Sequence, residues 1–117
     1  MPTVPVLLGR PDEALDSFDR AIAIEPRYAE AHNNRGGVLR ERGDQEAALA
    51  SFDRAVALNP DYALAHCNRG MVLNELYRPK QALASMDRAI ALAPNRQTLI
   101  VAALARFSVS SSSTRPD

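Results

Sequence analysis

Residues Tyr28–Pro60 read YAEAHNNRGGVLRERGDQEAALASFDRAVALNP, and most of the remaining chain is a copy of that stretch. Pro26, Pro60 and Pro94 stand thirty-four residues apart. At the same interval PRYAEAHNNRGGVL becomes PDYALAHCNRGMVL, and DSFDRAIAIEP becomes ASFDRAVALNP and then ASMDRAIALAP. A period of this length marks stacked supersecondary units. Residues that recur with it are read first as architecture and only then as chemistry.

Each unit reads as two helices. Leu15, Phe18 and Ile22 fall on one helical face from Asp12 onward, with Pro11 suited to the first turn and Pro26 blocking continuation. A second helix is expected from Tyr28 to Arg42, closed by Gly43 as a left-handed cap. Gln45–Leu58 gives a third with Leu49, Phe52 and Val56 inward, and Asp61–Leu76 with Pro79–Leu92 repeats the pair. Connections of two to four residues make neighbouring helices antiparallel. A last helix is expected over Gln97–Phe107, followed by the Ser-rich SVSSSSTRPD, too polar to order itself.

The organisation expected is therefore an irregular lead (1–9), a half repeat (10–26), full repeats (27–60 and 61–94), a half repeat (95–107) and a disordered tail (108–117). Fourteen basic residues balance fourteen acidic ones, so no net field draws nucleic acid or an anionic membrane. Cys67 is the single cysteine, which rules out an intrachain disulfide and points to a reducing, cytoplasmic setting. MPTVPVLLG lacks a basic n-region, and the apolar run 99–105 is too short to span a bilayer.

Gly36, Leu39, Ala48, Phe52, Ala55 and Pro60 resemble the small, apolar and proline positions of the tetratricopeptide (TPR) repeat. So do Gly70, Leu73, Ala82, Met86, Ala89 and Pro94, with Met in the aromatic place, and Ala14, Phe18, Ala21 and Pro26 in the leading half. The resemblance covers residues 10–107. It implies an all-α fold, a right-handed superhelix of antiparallel helix pairs. His32 and His66 depart from the pattern where it favours Trp, and Arg35 and Arg69 where it favours Leu.

The resemblance also implies a function. First helices of successive TPR repeats line a concave groove that binds peptides, which here would place Asn33, Asn34, Arg40, Leu64, Asn68, Met71 and Asn74 at the binding surface, with Cys67 beside them. Asn34 and Asn68 are equivalent, and glycosyltransferase members of the family carry Asn at this place as a ladder. A carboxamide offers donor and acceptor together and so matches a peptide unit whatever its side chains. The family's other mode, a basic clamp on a terminal carboxylate, lacks its cations: Gly37, Leu64 and Cys67 stand where Lys or Asn is needed.

No catalytic constellation is present. There is no phosphate loop, HExxH or GxSxG, and no cofactor is implied. His32 and His66 lie a full repeat apart without neighbouring ligands, so they read as packing residues rather than a metal site. The recurring Asp19, Asp53 and Asp87 read as structural partners of Arg35 and Arg69. The expected function is a non-catalytic protein–protein interaction module with a protein or peptide partner. The alternatives are the repeat portion of a larger enzyme such as a glycosyltransferase, or a homodimer completed through the terminal helices. The unpartnered half repeats favour a fragment or a truncated reading frame slightly over the dimer.

Overall fold

The computed structural model describes residues 11–94, 99–100 and 103–104. The lead, the tail and most of the helix expected over 97–107 lie outside the described residues. Residues 99–100 and 103–104 have helical backbone. The chain divides into two compact units, Met1–Pro60 and Asp61–Asp117.

The first unit holds α1 (Pro11–Ile24), α2 (Ala29–Glu41) and α3 (Gln45–Leu58). The second holds α4 (Ala63–Glu75) and α5 (Pro79–Leu92). The α3 and α5 bounds match the sequence reading, while α2 and α4 each start one or two residues late. Tyr28 and Tyr62 sit at the N-caps with ψ of 88°, outside the helical range, and neither caps through its side chain.

The close approach within each hairpin follows from three side chains. Ala48, Phe52 and Ala55 line α3 and are fully buried, and Gly36 of α2 faces the Phe52 ring. A Cβ placed on Gly36 would lie 2.6 Å from Phe52 Cε1, so the ring occupies the volume that any larger residue would need. In the second unit Gly70 meets Met86 and α5 in the same manner. Its Cβ would lie 2.9 Å from Met86 Cε and 3.2 Å from the Ala82 carbonyl oxygen. Met substitutes for Phe here because an unbranched thioether fills the same irregular space.

The hairpin turns share one geometry but not one residue type. Gly43 has φ of 84°, its N–H donates to the Arg40 carbonyl at 2.9 Å, and the Asp44 N–H donates to the Leu39 carbonyl at 2.9 Å. Thirty-four residues on, Tyr77 and Arg78 repeat those bonds to Asn74 and Leu73 at 3.1 and 2.9 Å, yet Tyr77 does so at φ of 60°. A tyrosine held left-handed carries strain that glycine does not.

Ion pairs and hydrogen bonds join the helices of each unit. Arg42 Nη1 lies 2.7 Å from Asp12 Oδ1, and Arg35 Nε lies 2.7 Å from Asp19 Oδ1. Of the two partners expected for Arg35, the structure shows the ion pair with Asp19. In the second unit Arg88 Nη2 stands 3.6 Å from Asp61 Oδ1. Among the described residues no helix is long and apolar enough to cross a membrane.

Candidate functional site

Helical geometry sorts the candidate residues. At 3.6 residues per turn, positions 30, 34, 37 and 41 of α2 share one stripe, as do 64, 68, 71 and 75 of α4. The stripe on α2 reads Glu30, Asn34, Gly37, Glu41. Glu30, Asn34 and Glu41 are exposed, and a Cβ added at Gly37 would touch nothing within 4 Å. The stripe on α4 reads Leu64, Asn68, Met71, Glu75. Leu64 is 53% exposed, Glu75 is exposed, and Asn68 and Met71 are half-buried.

Two residues placed at the surface by sequence are buried instead. Asn33 is 3% exposed and Cys67, its equivalent, is 7% exposed. Both stand one residue, about 100° of rotation, from Asn34 and Asn68, which turns them toward the second helix of their own hairpin. Cys67 forms a buried cluster with Met86 and Ala89, against which Met71 and Ile90 pack. That corrects the expectation that Cys67 faces the groove. Burial also pushes the Cys67 thiol above its ordinary pKa, which makes it a poor nucleophile. Met71 bridges the two roles: part of it packs on the core and part remains accessible. Arg40 and Asn74 are half-buried at the edge of the stripes.

Ser51 and Ser85 are residues the sequence reading missed. Arg35 Nη1 donates to Ser51 Oγ at 2.9 Å, and Arg69 Nη1 donates to Ser85 Oγ at 2.7 Å. Both serines are buried. Their recurrence in DSFDR, ASFDR and ASMDR was the available signal, since an Arg at the leucine position needs a buried polar acceptor opposite. His32 is half-buried with Nε2 3.1 Å from the Pro26 carbonyl oxygen, a contact that requires the proton on Nε2 because a carbonyl only accepts. Among the described residues no group of three or more His, Cys, Asp or Glu could hold a metal ion.

With Arg69 turned onto Ser85, the α4 stripe carries no charge apart from Glu75, and Leu64 and Met71 make it part apolar beside the Asn68 carboxamide. The α2 stripe carries two carboxylates, with Arg40 at its edge. Such faces suit a neutral chain with apolar side chains better than a negatively charged terminus.

The tetratricopeptide repeat model matches residues 8–63 and 41–96. Among solved structures, the chain superposes on the MamA protein with a TM-score of 0.78 at 24% identity, covering 89% of this chain. A second MamA structure gives the same TM-score at 23% identity, covering 92% of this chain and 67% of that one. The first TPR of Spaghetti (RPAP3), bound to the HSP90 peptide SRMEEVD, gives 0.84 at 22% identity, covering 91% of this chain and 87% of that one. The chain spans 57% of the first MamA chain. No curated protein matches. At these identities the structural likeness speaks for the fold, an all-α one of paired helices, and the two overlapping family matches fix its kind. The chain belongs to the tetratricopeptide repeat family.

Proposed function

We propose that the chain is a non-catalytic interaction module that holds a peptide segment of a protein partner on its first-helix faces. Asn34 and Arg40 contribute from α2, and Leu64, Asn68, Met71 and Asn74 from α4. Asn33 acts from inside the hairpin, fixing the face rather than touching the ligand. The observation that carries this reading is the Asn that recurs at one place on α2 and α4, exposed at Asn34 and half-buried at Asn68, beside the exposed Leu64 and the open space over Gly37. Family membership supports it, as does the peptide held by the Spaghetti repeat domain.

The ligand differs from the acidic HSP90 segment. Leu64 and Met71 favour apolar side chains, and the two asparagines pair with backbone amides. With one such carboxamide on each first helix, affinity is expected at about the micromolar level, where avidity decides occupancy in the cell. A reducing, cytoplasmic setting fits the single buried thiol. The alternative, a repeat portion of a larger enzyme, puts catalysis elsewhere in a longer chain and leaves the role of these faces unchanged.

Backbone amide shifts, followed while a peptide selected from a random decamer library is titrated into the protein, test the proposal. Shifts concentrated at residues 30–41 and 64–75 support it. Shifts confined to α3 and α5 overturn it.

A further inference from the structure

The helix α2 is flanked by its own chain on two sides, which decides where its charges go. Toward α1, Arg42 Nη1 lies 2.7 Å from Asp12 Oδ1 and Arg35 Nε lies 2.7 Å from Asp19 Oδ1. Toward α3, Arg35 Nη1 donates to Ser51 Oγ at 2.9 Å and Gly36 meets the Phe52 ring. The stripe of Glu30, Asn34, Gly37 and Glu41 is what α1 and α3 leave accessible. The equivalent stripe of α4 is accessible in its own hairpin too, so the opening belongs to the repeat and not to an end of the chain.

That stripe is anionic by construction. Arg35 and Arg42 are drawn to carboxylates of α1, and Arg40 is half-buried at the stripe's edge. Glu30 is engaged, accepting from the Tyr28 hydroxyl at 3.5 Å. Glu41 is exposed and stands one turn beyond Gly37. Helical side chains lean toward the N-terminus over the turn before them, so a glutamate at i+4 overhangs position i. A Cβ added at Gly37 would touch nothing within 4 Å. The result is a shallow opening floored by bare backbone, with a carboxylate at its rim. In α4 the place of Gly37 is filled by Met71, which packs against the cluster of Cys67, Met86 and Ala89.

We propose that this opening selects a basic residue of the bound peptide, a Lys or Arg whose apolar stem lies over Gly37 and whose cation meets Glu41. The inference rests on the reading of the first-helix faces as peptide-binding, and it adds the class of side chain that α2 receives. Charge complementarity sets that class. A long basic side chain offers an apolar stem and a charged head, the two things the opening can use. An apolar residue leaves Glu41 without a partner in the complex, and an acidic one is repelled by it. Gly37 is then a specificity determinant: α2 asks for a basic side chain, and α4 for apolar ones at Leu64 and Met71.

The probes are decamers selected on the full chain from a random library. The selected sequences should share a Lys or Arg at one position. Changing that residue to Gln should raise Kd about two- to fivefold, the size of an exposed ion pair, and changing it to Glu should raise Kd further. Glu41→Gln should cost the same factor, and combining it with the peptide's change to Gln should cost no more than either alone. Glu25→Gln, which removes an exposed carboxylate outside the stripe, should leave Kd unchanged. Gly37→Met, which copies the α4 residue, should abolish the enrichment of basic residues with the fold intact, because the space there is open. Decamers that shift residues 30–41 and 64–75 but show no basic preference, or bind Glu41→Gln as tightly as wild type, overturn this inference and leave the module reading standing. A library that yields no binder, or binders that shift only α3 and α5, overturns both.

Discussion

Arg35 donates from Nη1 to the buried Ser51 Oγ at 2.9 Å, so a guanidinium standing where the repeat favours leucine has its own acceptor on the facing helix. The same arginine places Nε 2.7 Å from Asp19 Oδ1 and thereby spans α1, α2 and α3. A forked, planar donor set is needed for both contacts, and a lysine ammonium cannot reproduce it.

Arg35→Lys is therefore expected to cost about 1 kcal/mol in urea denaturation, and Arg35→Ala about 1–3 kcal/mol by leaving Ser51 without its partner. A cycle with Ser51→Ala should show coupling of at least about 0.5 kcal/mol. Strictly additive losses would mean the hydrogen bond contributes nothing.

Adjacent glycines should respond with opposite signs. Gly36→Ala drives a Cβ to 2.6 Å from the Phe52 ring, and overpacking of this kind costs about 1–3 kcal/mol. Gly37→Ala meets open space and should gain about 0.8–1 kcal/mol of helix propensity. Thermal denaturation of the two single variants reads the difference directly.

Tyr77 offers a stabilising change. It holds φ of 60° in the turn where the preceding repeat uses Gly43, and its side chain is 81% exposed, so little burial is lost on removing it. Tyr77→Gly should raise stability by about 1 kcal/mol. An unchanged or lowered denaturation midpoint would contradict the assignment of strain at this turn.

Cys67 should make stability depend on pH at the alkaline end. Burial raises its pKa above the ordinary value of 9.0, so the folded state holds the thiol proton more tightly than the unfolded chain does. Its contribution is complete below the unfolded pKa and is lost as pH rises toward the folded one. Cys67→Ala should flatten stability between pH 8 and 10, and a thiol reagent at pH 8 should label the native protein far more slowly than the unfolded one. Equal labelling rates would place the thiol at the surface.

The fold was legible because the period repeats it: Gly36 with Phe52 and Gly70 with Met86 announce a close helix contact in letters alone. The site was legible only in part. Asn34 and Asn68 could be placed on an outward stripe by counting turns, but Asn33 and Cys67 lie at the stripe's margin, where a rotation of 100° decides between surface and interior. That margin is set by how closely Gly36 and Gly70 let the hairpins pack. Ser51 and Ser85 escaped notice because a small serine between apolar neighbours looks like filler until an arginine is seen to reach it. Tyr77 gave no warning either, since only its equivalence to Gly43 reveals the left-handed turn.

The most direct test of the interaction-module reading is the affinity of a library-selected peptide for wild type and for the Asn34→Ala, Asn68→Ala double variant. Two carboxamide hydrogen-bonding sites, at about 0.5–1.5 kcal/mol each, predict a rise in Kd of roughly 5- to 150-fold with the fold intact. A selected peptide that binds the double variant as tightly as wild type would contradict the account.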